Sequence, residues 1–335
     1  MRHPSLLIPI AVCSIALWAC GRDTLGPSGI KPGSADLAAH RSGNDGALVV
    51  DDDRANCPHA KFANIQAAVA AAAPGDKIVV CPGTYHEQVT VSKNDLVIVA
   101  RDKDADDEDD EPGGVVVDAH GHDFGFQVLN ASGVTIKGFR VEHAHEADIF
   151  LNGATFTTIR KNVTTAAGHD GIELIGSDDN LIEHNVATDN LATNACGVNV
   201  TAGSKRNIVR HNLLANNEWG IQIAGGATDN VISQNESLRN RGNGIRNVGG
   251  ASGTIIEKNR ARRNGLTPSP LTTGTTGAGI RIGSGTRIVV RKNRAFGNLL
   301  IDLLKDGAAT ATFEDNRCKT SSPPGLCEHH VDSDR

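Results

Sequence analysis

Residues 158–162, Thr-Ile-Arg-Lys-Asn, carry a five-residue pattern that returns six more times along the chain. Each copy has two residues that are mostly apolar, then two polar residues and an asparagine. The seven asparagines are Asn162, Asn185, Asn212, Asn235, Asn259, Asn293 and Asn316. They are 23, 27, 23, 24, 34 and 23 residues apart. This spacing predicts a solenoid whose longer repeats contain loop insertions.

A second pattern, a glycine followed by a short strand, lies between the asparagines. Its copies are Gly171–Leu174, Gly197–Val200, Gly220–Ile223, Gly244–Asn247 and Gly279–Ile282. Each repeat therefore carries at least two strands with period-two alternation and no helical stripe. Such strands cannot bury an apolar face alone, so each coil must stack on the next. The sequence predicts an all-β fold, a parallel β-helix.

Length and composition agree with one repetitive domain, which we place at residues 47–327, followed by a disordered tail at 328–335. The 335 residues include 37 glycines and 3% aromatics, as suits thin coils with tight turns. The net charge is −6. This charge lacks the basic footprint of a nucleic-acid-binding protein, so we expect no nucleic acid partner. We also expect a monomer.

The first twenty residues are predicted to be a signal peptide, because an apolar stretch at 6–17 follows a short polar start. The sequence from Leu17 to Gly21 resembles a bacterial lipobox, which implies lipidation of Cys20 and a membrane anchor. Ordinary cleavage and secretion is the alternative. Residues 21–46 are predicted to be a flexible linker. Either route places the domain at the outer membrane, in the periplasm, at the cell surface or outside the cell.

The remaining cysteines support export. We predict the disulfides Cys57–Cys81 and Cys318–Cys327, one at each end of the solenoid, where a coil has only one neighbour. Cys196 is left over and is interpreted as a buried, inert thiol. Near the first pair, the spacing of Phe62, Ile65 and Val69 predicts a short amphipathic helix that ends before Pro74 and caps the first coil.

Three segments that precede the repeats resemble a known superfamily. They are Ile65-Gln-Ala-Ala68, Pro74-Gly-Asp-Lys-Ile78 and Pro82-Gly-Thr-Tyr-His-Glu87. Together with the asparagine coils they resemble the pectin-lyase-like superfamily of right-handed parallel β-helix proteins, over about residues 55–318. The resemblance implies the fold. It does not imply one activity, because the superfamily includes lyases, hydrolases, epimerases, esterases and non-catalytic adhesins.

Neighbouring coils of a parallel stack lie about 4.8 Å apart, so aligning the repeats predicts which residues touch. The repeated asparagine is predicted to form an interior, structural ladder. The outward residues of the second strand are predicted to form a row on the surface: Phe150, Glu173, Asn199, Gln222, Arg246, Arg281 and Asp302.

This outward row and the loops before it are predicted to line a groove for a linear acidic polysaccharide. Arg246 and Arg281 suit uronate carboxylates, and the amides of Asn199 and Gln222 suit sugar hydroxyls. Histidines and carboxylates nearby are the candidates for proton transfer. The candidate catalytic residues are His145, Asp148, His169, Asp170, Glu173, Asp189 and Glu218. A structural interpretation of Gly168–Gly171, as a polar turn before a strand, stays open.

We predict no cofactor and no metal site. The acidic run at 102–111 resembles a calcium loop, but Asp107 stands in place of the turn glycine, and Gly113 in place of the bidentate glutamate. Pectate lyases of this fold bind calcium through clustered aspartates, whereas the predicted row has only Glu173 and Asp302. Calcium is therefore unsupported. Asp178-Asp179 is similar to the paired aspartates of polygalacturonases, but the rest of that set is absent.

The sequence thus predicts an exported protein that binds a linear acidic polysaccharide and processes it as a lyase, hydrolase or epimerase. A non-catalytic carbohydrate-binding or periplasmic accessory module is the alternative. A surface spacer fits less well, because it leaves the clustered arginines unexplained.

Overall fold

The computed structural model describes residues 46–101, 114–265 and 277–329, which belong to one compact unit. The predicted signal peptide with Cys20, the linker up to residue 45 and the acidic run at 102–111 lie outside the described residues. Within the described part of the chain, no helix is long and apolar enough to cross a membrane.

Three parallel sheets, here named A, B and C, run along the solenoid. Sheet A contains Leu48–Val50, Lys77–Val80, Val97–Ala100, Thr135–Lys137, Thr158–Arg160, Leu181–Glu183, Ile208–Arg210, Val231–Ser233, Ile255–Glu257, Ile288–Arg291 and Ala311–Glu314. Sheet B contains Gly83–Tyr85, Val115–Asp118, Arg140–Glu142, Val163–Thr165, Val186–Thr188, Leu213–Ala215, Glu236–Leu238, Arg260–Arg262, Arg294–Phe296, Arg317–Cys318 and Glu328–His329. Sheet C contains Val89–Val91, Phe124–Leu129, Ala147–Asn152, Asp170–Ile175, Cys196–Thr201, Trp219–Ile223, Ile245–Asn247, Ala278–Ile282, Ile301–Lys305 and Ser321–Ser322.

The predicted all-β parallel β-helix is confirmed. Strand register stacks one buried apolar side chain on the next, as in sheet A, where Ile159 pairs with Ile182 and Ile182 with Val209. All three are fully buried. The last strand, Glu328–His329, pairs with Arg317–Cys318 and extends the domain two residues past the predicted boundary.

The predicted asparagine ladder lies at the corner between sheets A and B. Asn235 is 1% exposed. Its Nδ2 donates to Val209 O at 2.8 Å and to Asn259 Oδ1 at 3.1 Å. Its Oδ1 accepts from the backbone N and from Nδ2 of Asn212, both at 3.0 Å. Since these backbone groups belong to a turn that strand pairing cannot satisfy, the amide closes the corner.

Two further ladders, which the sequence analysis missed, occupy the other corners. The B–C corner carries Asn190, Asn217, Asn240, Asn264 and Asn298. The C–A corner carries Asn180, Asn207 and Asn230. The first of these explains the repeated glycine, because a Cβ on Gly171 would lie 2.9 Å from Asn190 Nδ2.

The N-terminal cap is a single helix, α1, at Ile65–Ala71. Ile65, Ala68 and Val69 face the core, and Glu87 accepts from the first backbone amides, those of Ile65 and Gln66. Phe62 does not belong to the helix as predicted. It pairs with Val50 in an isolated bridge instead, because Asn64 caps the helix and starts it one residue later.

Both predicted disulfides are confirmed. Cys57–Cys81 lies at the first coil and Cys318–Cys327 at the last described one. Cys196 is free and buried, as predicted.

Asn235→Ala should lower the free energy of unfolding by roughly 1–3 kcal/mol, because it leaves buried groups of Asn212, Val209 and Asn259 without their partner. Chemical denaturation measures this. The matched control is Glu314→Ala, at an exposed strand position two residues before the last ladder asparagine. Equal midpoints for Asn235→Ala and the wild type would show that the ladder contributes no stability.

Candidate functional site

The outer face of sheet C carries a continuous row of side chains, here called the outer row. Its register is Thr90, Gln127, Phe150, Glu173, Asn199, Gln222, Arg246, Arg281 and Leu304. The predicted order from Phe150 to Arg281 is confirmed. Asp302 is not part of the row, since Leu304 pairs with Arg281. Asp302 is instead buried, and its Oδ1 accepts from Nδ2 of Asn298 at the end of an asparagine ladder.

Four polar residues meet in the middle of this row. The fully buried Asp170 carboxylate accepts from the backbone N of Cys196 at 2.6 Å and from Asn199 Nδ2 at 2.9 Å, and it lies 3.0 Å from His169 Nδ1. Asn199 Nδ2 also lies 3.3 Å from Glu173 Oε1. The structure thus brings together four of the predicted site residues, here called the Glu173 cluster: His169, Asp170, Glu173 and Asn199.

The protonation behaviour of the cluster suits proton transfer near neutral pH. Burial raises the pKa of Glu173 to about 7, and the Asp170 carboxylate adds to the rise. The hydrogen bond to Asp170 raises the pKa of His169. A carboxyl group with a pKa of about 7, beside an imidazole whose pKa is raised by a buried carboxylate, has the components of a general acid–base pair.

Amides and arginines continue the row on one side of the cluster. Gln222 Nε2 donates to Asn199 Oδ1 at 3.1 Å. The Arg246 guanidinium lies 3.5 Å from the ring centroid of Trp219, and burial lowers its pKa to about 10, so it stays cationic at neutral pH. Arg281 is held by Asp306, with Nη2 and Oδ2 2.9 Å apart. Of the two arginines in the outer row, Arg246 is therefore the one that has no carboxylate in contact within the described ranges.

Aromatic rings flank the cluster on its other side. Phe124 and Phe150 stack with centroids 4.4 Å apart and planes 5° apart. The sequence analysis assigned no role to Phe124 or Trp219. Aligning the repeats would have placed Trp219 at this site. Trp219 lies three residues before Gln222, as Asp170 lies three residues before Glu173.

Two of the candidate catalytic residues do not face the groove. Asp148 is fully buried, and its carboxylate accepts from the backbone N of Ala144 and Thr165, which makes it part of a corner. Burial raises the pKa of Asp148 well above its usual range. Glu218 is also fully buried. Buried groups cannot meet a polymer that lies on the surface, so we remove both from the candidate site. Asp170 is equally buried and stays in the cluster only through its contacts with Asn199 and His169.

His145 and Asp189 are exposed at the B–C corner, outside the cluster. His145 Nδ1 lies 3.4 Å from Glu146 Oε1 and 3.6 Å from Asp123 Oδ1. Asp189 has a left-handed backbone, and its carboxylate accepts from the hydroxyl of Thr188 at 2.9 Å. Neither forms a described contact with Glu173.

Among the described residues, the groups with three closely spaced ligand atoms both include Asp51. One of them uses the sulfurs of the Cys57–Cys81 disulfide. The other is Asp51–Asp53, where each carboxylate accepts a backbone N–H of its own loop. These carboxylates act as turn caps, and they lie far along the chain from the Glu173 cluster.

The comparisons with known proteins agree on the fold. Residues 124–265 match the family model described as "Right handed beta helix region". The chain has the right-handed parallel β-helix fold of pectin-lyase-like proteins, as the sequence resemblance implied. No curated protein matches the sequence.

Three solved structures illustrate the similarity. The ORF18 protein of Geobacillus virus E2 aligns with a TM-score of 0.62 and 12% identity, over 85% of this chain and 59% of that one. Pectate lyase Pel9A aligns with a TM-score of 0.51 and 16% identity, over 75% of this chain and 73% of that one. A double mutant of the tailspike protein of E. coli bacteriophage HK620, in complex with a pentasaccharide, aligns with a TM-score of 0.53 and 12% identity. The alignment covers 76% of this chain and 52% of that one. This chain thus spans little more than half of the two viral proteins. Identities this low establish the fold alone.

Glu173→Gln should stabilise the protein increasingly as pH rises from about 4.5 to about 7. In this range the folded state keeps the Glu173 proton while the unfolded state has lost it. The free energy of unfolding of the wild type therefore falls as the pH rises. Glutamine keeps an acceptor for Asn199 and removes this cost. Melting temperatures across that pH range measure the effect, with the exposed Glu314→Gln as the matched control. A constant difference between Glu173→Gln and wild type would contradict the raised pKa.

Proposed function

We propose that this protein binds a linear acidic polysaccharide along the outer row of sheet C and processes it by proton transfer at the Glu173 cluster. The observation that carries the proposal is the position of Glu173. Its carboxyl group has a pKa of about 7 and lies in a row of amides, arginines and aromatic rings.

Elimination or epimerisation of a uronate fits this cluster better than hydrolysis does. Hydrolysis needs two carboxyl groups that both reach the glycosidic bond, but Asp170 is fully buried and holds Cys196, Asn199 and His169. Asp170 therefore serves to position the other groups.

In the elimination we propose, ionised Glu173 takes the proton from the carbon alpha to the uronate carboxyl group. The electron pair of that C–H bond forms the new double bond, and the bond from the ring to the glycosidic oxygen breaks. Protonated His169 gives its proton to the departing oxygen. The hydrogen bond to Asp170 favours the charged form of His169 that this step requires. Epimerisation would use the same first step, with a proton returned to the opposite face of the carbon.

Groups beside the cluster suit the rest of the polymer. Arg246 lies three coils beyond Glu173, which is about 14 Å at strand spacing. It would therefore bind a carboxylate several sugars away from the reacting one. Phe124, which is partly exposed and stacks on the buried Phe150, offers an apolar surface to a sugar ring. Similarity to a pectate lyase and to a tailspike that holds a pentasaccharide supports a carbohydrate partner.

We further propose that the protein works outside the cytoplasm, anchored through a lipid on Cys20 or freely secreted, and as a monomer. The two disulfides support an oxidising compartment.

The test is incubation with polyuronates, glycosaminoglycans and neutral glycans. Ultraviolet absorbance of unsaturated products, reducing-end release and calorimetric binding are followed together. We expect unsaturated products from a polyuronate, with Glu173→Gln and His169→Asn each slower by about 100-fold or more and binding preserved. Arg246→Gln should mainly weaken binding. The catalytic assignment fails if Glu173→Gln keeps the wild-type rate.

A second candidate is a non-catalytic carbohydrate-binding or periplasmic accessory module. The interactions that fix the side chains of the row favour this function. Gln222 donates a hydrogen bond to Asn199, and Arg281 forms an ion pair with Asp306. Such a surface is preorganised for binding even without chemistry. Binding of one polymer in the panel, with no product from any of them, would decide for this function.

A further inference from the structure

An open cavity of about 420 Å³ lies at the A–B corner, away from sheet C. On one side it is lined by the left-handed turn residues that precede the ladder asparagines, and on the other by the first residues of sheet B strands. Lys258 and Lys292 come from the first set, and Arg260 and Arg294 from the second. Arg260 and Arg294 are register partners, so the four cations form two pairs on adjacent coils.

These four cations have no counter-charge in contact. All four are exposed, and none forms an ion pair with any residue in the described ranges. Sheet A shows the contrast, because its Arg210 and Arg291 are bound to Glu183 and Glu257 at 2.7 Å. The chain as a whole carries a net charge of −6, so the positive charge around this cavity is opposite in sign to that of the whole chain.

The cavity has a fixed floor and a defined edge. Its floor includes the ladder residues Asn235 and Asn259, which the corner hydrogen bonds hold in place. At its edge, Glu236 Oε1 accepts from Arg262 Nε at 3.0 Å, so this carboxylate is already engaged by an arginine outside the cavity. Glu236 is also the register partner of Arg260, but its ion pair is with Arg262, so the four cations stay unpaired among the described residues.

We propose that this cavity is a second binding site, which takes a phosphate monoester. A phosphate monoester has nearly two negative charges and three acceptor oxygens at neutral pH. Two lysines supply point charges and two arginines supply donor forks, and both recognise phosphate. A single carboxylate would leave most of the four charges uncompensated. The site goes beyond the function proposed for sheet C and shares no residue with it.

The experiment compares four polymers with one backbone at constant ionic strength: dextran, carboxymethyl dextran, dextran sulfate and dextran phosphate. Calorimetry with the full protein measures each affinity, and inorganic phosphate is titrated separately. We expect dextran phosphate to bind most tightly and plain dextran not to bind.

Two double variants test the site. Arg260→Gln with Arg294→Gln, and Lys258→Asn with Lys292→Asn, should each weaken dextran phosphate binding by about tenfold or more. Asparagine suits the left-handed turn positions, so the second pair keeps the backbone. The matched control, Lys205→Gln with Arg239→Asn, removes the same charge from exposed positions at other corners and should bind like wild type.

Several results would overturn the site. Absence of dextran phosphate binding would do so, as would equal losses in the control and the test variants, which would indicate net charge alone. Carboxymethyl dextran or dextran sulfate binding as tightly as dextran phosphate would overturn the phosphate assignment. Inorganic phosphate binding as tightly would support recognition of the phosphate group itself. Arg246→Gln, which should weaken polymer binding on the outer row, should leave dextran phosphate binding at this cavity unchanged. The two proposals can therefore fail separately.

Discussion

The hydrogen bonds that close the three corners are the constraint on which the rest of this fold depends. Sheets satisfy the backbone within strands, but each coil turns three times, and every turn leaves amide and carbonyl groups inside the stack. Asparagine has one acceptor and two donors on a short side chain, so it can bind both its own turn and the next coil. The ladders fix each coil against the next. Side chains that are one full coil apart in the sequence therefore lie at strand spacing on one face.

The repeated sequence made most of this predictable. The A–B ladder followed from the spacing of Asn235 and its equivalents. The outer row followed from the repeated glycine, which lies two residues before each outward residue from Glu173 to Arg281. The prediction lost register at Asp302 because this coil lacks the repeated glycine: Asp302 itself lies level with Gly279, two residues before the outward Leu304. Asp302 replaces an asparagine as the end of a ladder, a role that the sequence pattern does not distinguish from a groove carboxylate.

The candidate site was less predictable than the fold, for a physical reason. Asp148, Asp170 and Glu173 all lie within short strands of sheet C or at their start, and in sequence they look alike. Burial and partners separate them: Asp148 caps backbone amides inside a corner, Asp170 is buried but reaches the outer face through Asn199, and Glu173 stands on that face. These differences depend on the register between coils: Ala147 pairs with Asp170 and Ile149 with Ile172, so Asp148 lies level with Gly171, a position that faces inward.

The Glu173 cluster also differs from the corners in what its interactions do for stability. An amide ladder satisfies every group that it buries. Glu173, in contrast, is partly buried beside a second carboxylate, and its raised pKa means that the folded state is penalised for ionising it. The adjacent coils show that the fold does not require this arrangement, because Asn199 and Gln222 fill the equivalent positions without charge. A carboxylate kept at a cost to stability, beside a histidine oriented by a buried aspartate, is typical of a site that is retained for its chemistry.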